Sequence, residues 1–240
     1  MDKMINVGGV NCYRPVDLSD NLKGGLIVIH EVWGLTEHIK NVADRFADLG
    51  YFVLAPDLLS ETEIAKLDTT NLQHGLFNPE KRNEVQPLLR ELMTPLHMPE
   101  FGTQTNDKLL KVFNELYSMP ELKRNISVTG FCFGGTYSYN LAVREPRLKK
   151  AIPFYGHNDY SVDELKNIKA KIMAFYGEKD ESLVSNLDDL KSRMNQAGVH
   201  FEALVYPDCG HAFFNDSNPY SYNESAAKDA FTKASAFLTK

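Results

Sequence analysis

Positive charge is in short supply in this sequence. It has 26 Lys and Arg against 32 Asp and Glu, for a formal net charge of −6. Such a chain has no basic field to gather a phosphate backbone, so nucleic acid is not an expected partner. Cysteine is scarce too. Cys12, Cys132 and Cys209 are an odd set with no CxxC pair, which argues against a disulfide framework and against a structural zinc site. No apolar run approaches the ~20 residues that cross a bilayer. The start, Met1-Asp2-Lys3-Met4-Ile5-Asn6, lacks the basic patch and long apolar stretch of a signal peptide. No HExxH, P-loop or GxGxxG motif occurs, so no metal or nucleotide cofactor is expected. The expectation is a soluble cytoplasmic protein with no membrane partner; the sequence leaves its oligomeric state open.

The 240 residues are 43% hydrophobic and 24% charged, which suits a single globular domain able to bury a full core. Apolar runs alternate with amphipathic stretches. Gly25-Leu26-Ile27-Val28-Ile29-His30 is short, β-branched and apolar on both faces, as in a strand inside a parallel sheet. Residues 36–50 carry Ile39, Val42, Ala43, Phe46 and Leu49 at helical spacing and stop at Gly50. Further strands are expected at 51–56, 125–130, 151–156, 171–176 and 201–206, the third of these weakened by Pro153. Helices are expected at 108–117, 134–144, 182–197 and 221–238. The pattern predicts an α/β fold, a doubly wound and mostly parallel sheet with helices on both faces, whose ligands bind at the carboxyl ends of the strands. Residues 57–102 break the alternation. With Pro79, Pro87, Pro95 and Pro99 and little apolar periodicity, they read as an insertion over one edge of the domain, with a short helix at about 79–93.

Gly130-Phe131-Cys132-Phe133-Gly134-Gly135 follows a predicted strand and opens a predicted helix. This is the G-x-S-x-G nucleophile elbow with cysteine in the serine position. A tight strand-to-helix turn lifts the central side chain over the sheet edge, and the flanking glycines remove the Cβ atoms that would collide. The helix start adds free N–H groups and a positive dipole end, which favour a thiolate and a developing oxyanion. An elbow requires an acid and then a histidine downstream. Gly177-Glu178-Lys179-Asp180-Glu181 follows a predicted strand; Asp180 is the choice, with Glu178 and Glu181 as rivals. Past the last strand, His211 fits better than His30, His38, His74, His97, His157 or His200. In this reading His211 takes the Cys132 proton and Asp180 orients the ring. The Phe133 N–H donates to the oxyanion, and a second donor comes from the loop Glu31-Val32-Trp33-Gly34. Trp33 and Phe213 are candidate pocket walls.

Taken together, His30 to Gly34, the Cys132 elbow, Gly177 to Asp180 and Gly210-His211-Ala212-Phe213 resemble the dienelactone hydrolase family of α/β-hydrolases, from about Gly24 to the end and most weakly in 57–102. The resemblance implies a Cys–Asp–His triad that cleaves small esters or lactones through an acyl-thioenzyme. It also implies that Glu31 touches the resting thiol and helps deprotonate it, and that Val32 supplies the second oxyanion N–H. Family members acting on dienelactone hold the substrate carboxylate with arginines, one of them four residues after the histidine. Here that position is Asn215, and Arg82 lies in the region of the other. The chemistry is therefore expected to carry over without the dienelactone substrate. Two competing readings keep the fold: a non-catalytic ligand-binding protein, and a redox sensor in which Cys209 resolves an oxidised Cys132.

Overall fold

The computed structural model describes residues 3–16, 21–67, 69–78 and 80–239. Among the described residues eight strands form one sheet: β1 (Met4–Val7), β2 (Val10–Tyr13), β3 (Gly24–Ile29), β4 (Tyr51–Pro56), β5 (Ile126–Phe131), β6 (Lys150–Phe154), β7 (Lys171–Gly177) and β8 (Phe201–Tyr206). Their order is β1-β2-β4-β3-β5-β6-β7-β8, parallel from β4 onward and antiparallel in the β1–β2–β4 edge. This is the α/β-hydrolase architecture, with strand order reversing about β3. Among the described residues no helix is long and apolar enough to cross a membrane.

The two-sided apolar strands divide into two cores because side chains alternate along a strand. Ile27 and Ile29 of β3 face one core with Leu54 and Val128. That core is covered by α4 (Pro99–Ser118), α5 (Phe133–Arg144) and α8 (Leu187–Gln196). Leu26 and Val28 face the other, covered by α1 (Glu37–Asp48) and α9 (Glu224–Thr239). Both cores are needed to bury the sheet, which is why β3, β4 and β5 are buried at every position.

Several boundaries differ from the sequence reading for local reasons. The β1–β2 hairpin was not anticipated, although Val7-Gly8-Gly9-Val10 turns it. Gly8 and Gly9 have φ of 56° and 88°, the two positive values a tight hairpin of matching twist requires. Pro153 sits in β6 opposite Gly130, and the register with β7 skips from Ala151 to Phe154, so the missing N–H falls where the ladder is already interrupted. The helix expected over 182–197 is two, α7 (Glu181–Val184) and α8. Asn186 donates its side-chain amide to the Ser182 carbonyl at 3.3 Å, competing with the backbone at the break. The last helix starts at Glu224, not 221, where Asn223 Oδ1 accepts from the Ala226 N–H at 3.0 Å.

Between β4 and α4 the chain forms a short 3₁₀ turn (Glu63–Lys66), α2 (Thr69–Phe77), α3 (Arg82–Met93) and a second 3₁₀ turn (Thr94–His97). Pro79, the expected start of the helix in this region, lies outside the described residues. The expected helix at 108–117 extends back to Pro99 as α4, and α6 (Val162–Leu165) follows β6 with a capping box from Ser161 and Glu164.

Candidate active site

Cys132 stands between the last residue of β5 and the first of α5, with φ 54° and ψ −109°. A side-chain-bearing residue holds such a conformation only under strain, commonly ~1–3 kcal/mol, and only where its surroundings enforce it. They do so here by steric closure. A Cβ on Gly130 would lie 2.2 Å from the Gly134 carbonyl oxygen, and one on Gly134 would lie 2.3 Å from that of Ile29. The Cys132 N–H donates to the Phe154 carbonyl at 3.0 Å, tying the elbow to the end of β6. The Sγ is half-buried, whereas Cys12 and Cys209 are buried. The Phe133 N–H heads α5, where no helical carbonyl is available to receive it. Its ring stacks on His30 at 5.7 Å and leans on Phe101 at 6.2 Å.

Of the three acids after β7, one faces the histidine. His211 Nδ1 donates to Asp180 Oδ2 at 2.5 Å, and Ser182 Oγ donates to Oδ1 of the same carboxylate at 2.9 Å. Glu178 instead accepts the Asp208 N–H at 3.0 Å, and Glu181 is exposed at the start of α7. Burial pushes the Asp180 carboxyl up, but the bonds from His211 and Ser182 outweigh it and hold the group below the usual carboxylate range. Burial lowers the His211 imidazole, yet the adjoining Cys132 sulfur and the Asp180 carboxylate together raise it well above its ordinary value. The site thus brings Cys132, His211 and Asp180 into one electrostatic unit.

Glu31 is buried behind this unit. Its Oε2 accepts from Asn215 Nδ2 at 2.5 Å and its Oε1 from the Tyr155 hydroxyl at 3.3 Å. Burial raises its carboxyl, opposed by the nearby His38 and His211 and by those two hydrogen bonds. Tyr155 was not singled out from sequence. It directly follows β6 at φ 39°, is buried, and lies with its ring 5.0 Å from that of His211. Its place at the carboxyl end of a strand was the available signal. His38 is also drawn in: its Nδ1 donates to Asp216 Oδ1 at 2.7 Å, and its ring packs on Phe131 and Phe214. His30 has a packing role, with Nδ1 donating to the Glu31 carbonyl at 2.6 Å and Nε2 accepting the Leu58 N–H at 3.0 Å.

The remaining candidates separate. Val32 is half-buried in the turn after β3, which the Gly34 N–H closes on the Glu31 carbonyl at 3.1 Å, and Trp33 is nearly buried beside it. Phe213 is wholly buried between Tyr155 and Tyr206, a core position and not a pocket wall. Arg82 is exposed at the first turn of α3. A cleft of about 730 Å³, walled by Leu58, Leu92, Leu96, Met98 and Phe101, adjoins the elbow through the Phe101–Phe133 contact. Among the described residues no group of three or more His, Cys, Asp and Glu side chains is placed to hold a metal ion.

Residues 15–240 match the model of the dienelactone hydrolase family. A protein of Saccharolobus solfataricus assigned as a carboxymethylenebutenolidase is 33% identical over 240 residues, covering 92% of this chain and 91% of its own. Protein usf of Aquifex pyrophilus is 33% identical over 225 residues, covering 89% of this chain and 87% of its own. A crystal structure from Klebsiella pneumoniae assigned as a dienelactone hydrolase superposes with a TM-score of 0.77 at 26% identity, covering 96% of this chain and 93% of that one. The chain belongs to the dienelactone hydrolase family.

Proposed function

We propose that the chain hydrolyses small carboxylic esters or lactones through an acyl-thioenzyme on Cys132. The observation that carries this reading is the positive φ of Cys132 at a strand-to-helix turn, beside an imidazole already bonded to Asp180 at 2.5 Å. Relatives assigned as carboxymethylenebutenolidases favour the same class of substrate.

In this mechanism His211 Nε2 takes the Cys132 thiol proton, and Sγ forms a bond to the substrate carbonyl carbon as the carbonyl π pair moves to oxygen. The N–H groups of Phe133 and Val32 receive that oxyanion. Collapse restores the carbonyl and breaks the C–O bond, and the leaving oxygen takes its proton from His211. Water then attacks the thioester, giving its proton to His211. The second tetrahedral species breaks its C–S bond to release the carboxylic acid, and the departing sulfur recovers its proton from His211. Asp180 keeps the ring oriented and supports its charged form throughout. Glu31, held by Asn215 and Tyr155, acts as a reserve base for the thiol once substrate displaces those bonds.

Asn215 gives its amide to Glu31 and offers no cation, so a neutral ester suits the site better than a carboxylate-bearing lactone. Cys209, the thiol a redox sensor would pair with Cys132, is buried, and that burial raises its thiol, which disfavours attack as a thiolate. Intact-mass analysis after incubation with an ester and lactone panel tests the reading. A mass increase matching the acyl group, mapped to the Cys132 peptide and absent in Cys132→Ala, is expected. Undiminished turnover by Cys132→Ala overturns it.

A further inference from the structure

The helix α2 carries a polar side chain with no evident structural role. Gln73 is 4% exposed and its Nε2 has no hydrogen-bond partner. A buried amide donor left unpaired is costly, so its persistence calls for an occupant. The helix geometry shows which way it faces. A Cβ on Gly75 would meet Val85 Cγ2 of α3 at 2.5 Å, so the Gly75 side of α2 packs on α3. Two residues along a helix rotate by about 200°, which turns Gln73 away from α3. Thr69, one turn earlier on the same side, donates to the Trp33 carbonyl at 3.4 Å. His74 Nε2 donates to the Ser217 carbonyl at 3.0 Å. The helix α2 therefore touches both the loop that follows β3 and the loop that follows His211, with Gln73 on its side turned away from α3. Those two loops are joined by the 2.5 Å bond between Glu31 and Asn215, behind the Cys132 site.

We propose that the Gln73 side-chain amide is a substrate-recognition group, donating to an uncharged oxygen of the ester or lactone other than the one that reacts; the proposal rests on the Cys132 chemistry above. Before substrate arrives, the other amide at this junction is occupied, with Asn215 Nδ2 on Glu31 and Asn215 Oδ1 accepting from Ser217 N–H and Oγ at 3.0 Å and 2.6 Å. The Tyr155 hydroxyl is likewise directed at Glu31. A neutral amide donor pairs with a carbonyl, ether or hydroxyl oxygen and supplies no cation for a carboxylate. The helix α2 then acts as a specificity wall whose position is set by the two loops it touches.

Two measurements test this. The first compares p-nitrophenyl methoxyacetate with p-nitrophenyl butanoate, and p-nitrophenyl 4-oxopentanoate with p-nitrophenyl pentanoate, pairs that differ in one added oxygen acceptor. In Gln73→Met, which keeps length and loses the donor, the kcat/KM ratio of the oxygen-bearing to the plain ester falls about tenfold in at least one pair, mainly through KM. The second titrates ¹⁵N-labelled protein with γ-butyrolactam, which carries a neutral carbonyl and resists hydrolysis. The Gln73 side-chain amide resonance, assigned by its loss in Gln73→Met, shifts saturably. An unmoved resonance, an unchanged ratio, or an equal loss on both members of every pair overturns the proposal, the last marking a packing role. A saturable shift in a protein that forms no thioester would instead sink the Cys132 chemistry and leave the Gln73 site standing.

Discussion

Asp180 and His211 meet at 2.5 Å across the carboxyl ends of β7 and β8, while Glu178, two residues from Asp180, turns to the Asp208 backbone N–H. Three acids in one turn thus have three different fates. Asp180→Asn keeps the shape but favours the wrong ring tautomer, and kcat for ester cleavage is expected to fall by about 10²–10⁴. Glu178→Gln should stay within about twofold. Steady-state kinetics on one chromogenic ester separates the two. Equal losses would mean that the turn, and not the carboxylate facing the ring, is what matters.

The elbow stores strain that stability measurements can read. Glycine adopts the Cys132 conformation without a Cβ penalty, so Cys132→Gly should abolish esterase activity and stabilise the fold by about 1 kcal/mol. For a chain of this size that is a rise of about 2–4 °C in melting temperature by calorimetry. A fall in melting temperature would show that the sulfur contributes packing that exceeds the strain.

Glu31 gives a pH-dependent signature. Its carboxyl is raised in the folded state, chiefly by burial, so the folded protein holds that proton to higher pH than the unfolded chain does. The sign follows from linkage: stability falls as pH rises from the unfolded carboxyl value, near 4.5, through the raised folded one. Glu31→Gln has no charge to bury. It should melt higher than the parent at pH 8 and lose that advantage as pH approaches 4, while thiol acylation slows about tenfold if Glu31 assists deprotonation. Thermal melts across pH with stopped-flow acylation check both halves.

The last helix depends on a single side chain at its start. Asn223→Ala removes the acceptor of the Ala226 N–H and should cost about 1 kcal/mol, with little effect on kcat. Chemical denaturation measures it; an unchanged midpoint would mean that water replaces the cap.

How much of this was legible in the sequence depended on the range of the interaction. The strands β3, β4 and β5 could be read because burial on both faces writes an unbroken apolar run. The elbow could be read because its steric requirement is local, a glycine on each side of Cys132. The β1–β2 hairpin was missed because Met4-Ile5-Asn6-Val7 and Val10-Asn11-Cys12-Tyr13 alternate weakly, although Gly8-Gly9 marked the turn. Choosing among Glu178, Asp180 and Glu181 was a preference, since the direction of each side chain is set by a turn closed from the Asp180 N–H to the Gly177 carbonyl. The environment of Glu31 was not legible at all. Asn215 and Tyr155 reach it from distant stretches of chain, and no spacing rule connects them.

The site has no home on any one segment. Its sulfur, carboxylate and ring hang from the ends of β5, β7 and β8, and parallel neighbours of this kind align only after long crossovers have folded back. Recovery of ester turnover during refolding should therefore trail the return of helical signal, and a nick or permutation that slows closure of the β7–β8 side would delay competence long before it reduced the amount of folded protein.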